Sequence, residues 1–146
     1  MFEGDNLAVR IFTCADWAAL TQDGKLCIGG GGIDRVFLES IPGNLPTLHL
    51  VIRVHIPWGR TLEEHPLSVQ VMESDRKPIG PPIDEGRVEV GRPPGSRPGD
   101  ELAMQGIVPI AGYPVPSKGT FFIHLTVSGQ LLGLLPFRVL PRLGGG

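Results

Sequence analysis

Charge is scarce in this chain. Asp, Glu, Lys and Arg supply 19% of its 146 residues, and 13 basic against 15 acidic side chains leave a formal net charge of −2. Such a balance offers no basic footprint for duplex nucleic acid or for an anionic membrane surface. Aromatic residues are also few, at 6% with a single Tyr. They do not interleave with basic residues along any segment, so stacking platforms for single-stranded nucleic acid are not expected. Long apolar runs are missing: the best, Leu131 to Phe137, is interrupted by Gly133 and Pro136 and falls far short of the ~20 residues a membrane helix needs. Met1 to Asn6 carries Glu3 and Asp5 and shows neither a basic start nor an apolar stretch. This predicts no export leader, a cytoplasmic location and reduced thiols. Cys14 and Cys27 are the only two cysteines, and their spacing alone does not provide the Cβ geometry of a bridge.

Helical periodicity is nearly absent, and what replaces it is alternation. Leu48, Leu50, Ile52, Val54 and Ile56 share one side of a segment whose other side carries His49, Val51, Arg53 and His55. Phe121, Ile123, Leu125 and Val127 repeat the device, and Leu67, Val69 and Val71 form a shorter version. Each is a strand with one core face. Further strands are predicted at Leu7 to Ala15, Leu26 to Gly29 continuing through Ile33 to Glu39, Arg87 to Val90, Leu102 to Ile110 and Leu134 to Leu140. Turn residues such as Asp23-Gly24, Pro42-Gly43-Asn44, Pro98-Gly99-Asp100 and Ser128-Gly129 separate them. One helical turn is expected, Asp16 to Leu20, with Asp16 as its N-cap.

These signals predict an all-β chain, a single antiparallel β-sandwich of seven or eight strands with an immunoglobulin-like or C2-like Greek key. Residues 1–140 form one domain, 78–100 a Pro/Gly-rich flap or a short edge strand, and 141–146 a flexible Gly-rich tail. Gly 21 and Pro 15 together approach a low-complexity level, but 41% hydrophobic residues and the small net charge argue for a packed core. Its predicted inward residues include Ile11, Val36, Leu50, Ile52, Val54, Val69, Val71, Ile123, Leu125 and Phe137.

Chemistry is harder to find. Gly29-Gly30-Gly31-Gly32 follows a strand, yet no Lys-Ser or Lys-Thr follows at phosphate-loop spacing and Asp34 stands where a dinucleotide motif needs its third glycine. A bulge that lets the chain bend across both sheets accounts for the four glycines better. His49 and His55 are six residues apart on one strand face, too distant for one ion, and His124 reads as a satisfied or solvated polar-face residue. No metal and no cofactor are expected. The best acid–base cluster is Glu63-Glu64-His65, with Trp58 and Arg60 beside it in the same loop. It suits a small hydrolase or lyase, or a Trp platform for a sugar or peptide. Its bland alternative is a solvated acidic turn. No Gly-x-Ser-x-Gly occurs, so no nucleophile elbow supports a hydrolase triad. Arg87, Arg92 and Arg97 offer a grip on an acidic partner or simply solubilise a proline-rich loop. The terminal Gly144-Gly145-Gly146 is similar to the tails of ubiquitin-like modifiers, in which the last carboxylate is conjugated. Gly145 and Gly146 would then be the reacting end, although the chain is about twice a β-grasp domain and lacks its helix.

At Cys14-Ala15-Asp16, Gly24-Lys25-Leu26, Ile28-Gly29 and Ile33-Asp34-Arg35-Val36 the chain resembles a family of small uncharacterised bacterial and phage-associated proteins. The similarity continues into Gly119 to Val139 and covers about half the chain. It implies a compact β-sandwich without an assigned activity, and carries no catalytic residue over. The function expected is therefore a non-enzymatic binding or assembly module that meets a protein partner, or a second copy of itself, through end loops or an edge strand. A conjugated modifier and a hydrolase or lyase are the alternatives. The core assignment makes a first prediction: Ile52→Asp buries an unpaired charge and abolishes folding. A soluble variant with an unchanged melting temperature would refute it.

Overall fold

Alternation becomes extended backbone throughout the computed structural model, which describes residues 6–143. Eleven strands run in chain order: β1 (Ala8–Leu20), β2 (Leu26–Gly31), β3 (Arg35–Leu38), β4 (Gly43–Asn44), β5 (Leu48–Ile56), β6 (Glu64–Met72), β7 (Asp84–Glu89), β8 (Leu102–Ile110), β9 (Pro114–Val115), β10 (Gly119–Val127) and β11 (Gln130–Pro141). A single 3-10 turn, Trp58–Arg60, is the one helical piece among the described residues. No helix there is long and apolar enough to cross a membrane.

The strands form three sheets. One has the order β2-β1-β5-β8, the second β3-β11-β10-β6-β7, and the third is the small pair β4-β9. Inward side chains of both large sheets join in one cluster that includes Leu50, Ile52, Val54, Val69, Val71, Ile123 and Leu125. Nine of the ten predicted core residues are buried. Ile11 is the exception. A register shift between Val9 and Ile11 inserts a residue into β1, and such a bulge reverses the parity of every side chain beyond it. Phe12 and Cys14 then turn inward opposite Ile52 and Leu50, while Ile11 stays half-buried on the other face.

Several expectations need correcting. Eleven strands in three sheets replace the seven or eight of a single sandwich, in part because β4 and β9 are two residues each and too short to show any period. The pairing is not wholly antiparallel, since β3 lies parallel to β11. Asp16 to Leu20 is not a helical turn: β1 continues to Leu20, where its backbone groups are satisfied across a hairpin with β2. Nor is Leu26 to Glu39 one strand. Gly30 and Gly32 have positive φ, and between them and Arg35 the chain leaves the first sheet for the second. That is the bend read from the four glycines, and it requires glycine at Gly30, where a Cβ would collide with the Asp16 side chain. The Pro-rich 78–100 stretch contains β7, the edge strand of the two alternatives.

Flanked by β1 and β8, β5 is more deeply covered than one core face implies. Val51 and Ala15 point away from the core yet are fully buried. The tip of the β1–β2 hairpin reaches β8, where the Gly24 carbonyl accepts from Gln105 Nε2 at 2.8 Å. Cys27 pairs with Ala19, five residues along β1 from Cys14, and both thiols are free. Burial pushes the Cys14 thiol up to about 11, which keeps it an inert, protonated core group.

His124 lies on the outer face of the second sheet but is buried, not solvated. Its neighbours His124↔Leu134 and His124↔Gln70 crowd it from both sides. Burial, and secondly the Arg76 charge, hold its pKa below the ordinary histidine value. The folded chain therefore binds this proton less readily than the unfolded one. Its stabilising contribution is complete above about pH 6.5 and is lost as pH falls through that value and the lower folded one. Thermal melting between about pH 7.5 and 5.5 should show a smaller loss of stability for His124→Gln than for the parent chain; equal losses would remove His124 as the cause.

Candidate functional site

Each residue of the predicted Trp58-to-His65 cluster is placed by the turn that ends β5. Pro57 is extended, Trp58–Arg60 make one 3-10 turn, and Thr61 N–H donates to the Trp58 carbonyl. The Thr61 hydroxyl donates to that same carbonyl at 2.7 Å and accepts from Arg92 Nε at 2.7 Å. Arg92 Nη2 adds a 2.8 Å bond to the Trp58 carbonyl, and its guanidinium lies 3.9 Å from the centroid of the Trp58 ring. The indole face is thus filled by a cation from the protein itself. Leu62, at φ 65, carries the chain round so that its N–H reaches the Val90 carbonyl at 2.9 Å.

Alternation then separates the three residues of the acid–base cluster. Glu63 is exposed and accepts from Arg60 Nε at 2.9 Å. That hydrogen bond, with the charges of Arg60 and His65 behind it, holds its carboxyl below the usual range. Glu64 begins β6 on the outer face and accepts from Arg87 Nη1 across the β6–β7 pair, also at 2.9 Å. His65 turns the opposite way and is only 1% exposed. Its Nε2 is 2.7 Å from the Arg60 carbonyl, an acceptor only, so this nitrogen carries a proton. Its Nδ1 is 2.7 Å from Ser128 Oγ. Glu63 Oε1 stands 3.8 Å from Nε2, whereas Glu64 is on the other face of the strand. One histidine with both ring nitrogens satisfied, and two carboxylates bound to separate arginines, fasten this loop to the β10–β11 turn and to β7.

The three arginines are not one patch. Arg87 is in the Glu64 ion pair and Arg92 is under Trp58, while Arg97 sits in a turn closed by its own N–H to Asp100 Oδ2 at 2.7 Å. Among the described residues no three His, Cys, Asp or Glu side chains gather as a metal site. The Pro78–Pro82 segment is held against the body, with Tyr113 Oη donating to the Pro81 carbonyl at 2.7 Å. Gly145 and Gly146 lie outside the described residues.

A different feature has no counterpart in the sequence reading. Strands β7 and β8 are each one of the two edge strands of their sheets, and they lie on the same side of the molecule. Between them is a cleft of about 360 Å³, floored by Ile52 and Leu67 and walled by Asp84, Gly86, Met104 and Gly106. The available signal was glycine at inward strand positions, which marks missing packing or a close approach. At Gly86 the sequence hides it, because Asp84 and Gly86 at the start of β7 do not look like strand residues.

A family model with the description "Family of unknown function (DUF6941)" matches residues 10–140. Among curated proteins nothing matches. Among solved structures the chain is similar to Pseudomonas fluorescens alkylpurine DNA glycosylase AlkC bound to DNA containing an abasic site analog. The identity is 8% and the TM-score 0.46, over 92% of this chain and 30% of that one. The chain therefore spans less than a third of that protein's length, and no role passes from it.

A structural role for the loop predicts a sharp contrast. His65→Ala, which strips the Arg60 carbonyl and Ser128 of their partner and opens space in the core, should cost about 2–4 kcal/mol in urea unfolding. Glu64→Gln, which removes only an exposed ion pair, should stay within about 0.5 kcal/mol. Equal effects would dissolve the distinction between the two faces.

Proposed function

This chain belongs to the DUF6941 family of unknown function, and we propose that it is a non-enzymatic binding or assembly module that meets a protein partner through its open side. The two large sheets form an immunoglobulin-like or C2-like scaffold in this reading, and the working surface is the pair of outer strands β7 and β8. The observation that carries it is the cleft between those strands, which leaves two sheet edges and part of the shared core accessible together. An unpaired edge is a template for another chain, and monomeric proteins normally blunt or cover it. The Trp58–His65 loop supports the reading indirectly. Its polar groups are engaged with one another and hold β6 and β7 in place, which keeps that edge rigid. Two free cysteines, one of them deeply buried, agree with work in a reducing compartment such as the cytoplasm.

Position-dependent crosslinking tests the reading in the native host. Photoreactive phenylalanine at Pro109 in β8 or Glu85 in β7 should yield discrete protein adducts, whereas the same group at the exposed Lys118, remote from the cleft lining, should not. Adducts independent of position, or none on the open side, would refute it.

A further inference from the structure

Gly86 and Gly106 are two inward-facing edge-strand positions without side chains. Gly86 is paired with Leu67 and Gly106 with Ile52, so both glycines sit on inward faces, one on each sheet. Neither has positive φ. A Cβ on Gly86 would meet nothing within 4 Å, and one on Gly106 would meet only the Met104 sulfur at 4.0 Å. Neither backbone conformation nor crowding therefore demands glycine. Their joint effect is the open cleft, with the flanks of Ile52 and Leu67 as its apolar floor.

Two further observations identify what fits there. Each of β7 and β8 is paired on one side only, so alternate backbone N–H and C=O groups of both strands face outward beside the cleft, save that Pro109 in β8 has no N–H. The longer of these edges is β8, with nine residues from Leu102 to Ile110. Asp84 is inward-facing, paired with Val69, and lines the cleft. It makes no side-chain hydrogen bond or ion pair with any described residue, in contrast to Glu63, Glu64 and Glu101. A small apolar ligand would use the floor but leave the backbone edges and this carboxylate unmatched. An extended polypeptide uses all three.

We propose that the cleft receives an extended segment of a partner protein as an added strand along β8. Small or medium apolar side chains enter at alternate positions over Gly106 and Gly86, and one Lys or Arg meets Asp84. This rests on the binding-module reading and names the chemistry of its partner. Main-chain bonds to β8 supply affinity, and the alternate pockets and the carboxylate supply selection.

A displayed library of nine-residue peptides, with alternate positions randomised and Thr between them, tests this on the full chain. Selection should enrich Val, Ala or Ile at alternate positions together with one Lys or Arg. In fluorescence anisotropy Gly106→Val or Gly86→Val, which fill the cleft from within, should weaken an enriched peptide at least about tenfold while melting stays at or above the parent temperature. Should Gly106→Val fail to fold, Gly86→Ala serves, since its added methyl has free space. Asp84→Asn should weaken the Lys peptide several-fold and leave its norleucine counterpart unchanged. Amide exchange should slow at alternate β8 residues on binding. No enriched pattern, or binding indifferent to both glycine variants, overturns the proposal. If no peptide binds but Pro109 adducts vanish in Gly106→Val, strand addition falls and the module reading stands; if adducts too are independent of this side, both fall. Binding of the apolar dye anilinonaphthalene sulfonate, lost in Gly106→Val without any peptide binding, would assign the cleft to a small ligand and overturn strand addition.

Discussion

The two large sheets bury their facing sides against each other over most of their area, and the rest of the structure depends on that shared apolar interface. β5 and β10 supply its centre: Leu50, Ile52 and Val54 from one sheet meet Ile123 and Leu125 from the other. Because side chains alternate strictly along a strand, one inserted residue moves all that follow to the opposite surface. The shift in β1 is such an insertion, and it brings Phe12 and Cys14 to the interior. The glycines after Ile28 solve the complementary problem of carrying the chain from one sheet to the other without exposing either inner face.

The elements that were legible in the sequence are those in which alternation is long and pure. β5, β8 and β10 appear almost at their observed boundaries for that reason. Where alternation is short, mixed or interrupted, the reading fails for identifiable causes. β4 and β9 contain two residues each. β7 is read only from Arg87 onward because its inward positions begin with Asp84 and Gly86, neither of which looks like a core residue. The parallel neighbour of β11 depends on a sheet switch, and local pattern says nothing about which strand lies beside which.

The same limit governs the candidate site. Glu63, Glu64 and His65 are adjacent in sequence and suggest a common task, yet strand geometry sends Glu64 and His65 to opposite surfaces. The partner that His65 does find is Ser128, 63 residues away, and no spacing rule predicts it. Trp58 behaves similarly: Arg92, 34 residues distant, occupies the ring face that a ligand would have used. Nearness along the chain is thus a poor guide to chemistry in a fold built mainly from distant pairings. The open side, by contrast, is a collective property of two strand edges and two glycines, legible only once both edges are known.

The position of β11 has a consequence for how the protein comes into being. It follows the other ten strands along the chain, yet it lies inside its sheet, between β3 and β10, with Arg138 paired to Arg35 about a hundred residues earlier. Until β11 is in place, β3 has no neighbour in that sheet and β10 lacks one flank. Strands formed earlier hold exposed apolar surface until β11 joins them, a state open to aggregation, and loss of β11 would remove the middle of a sheet, not its margin.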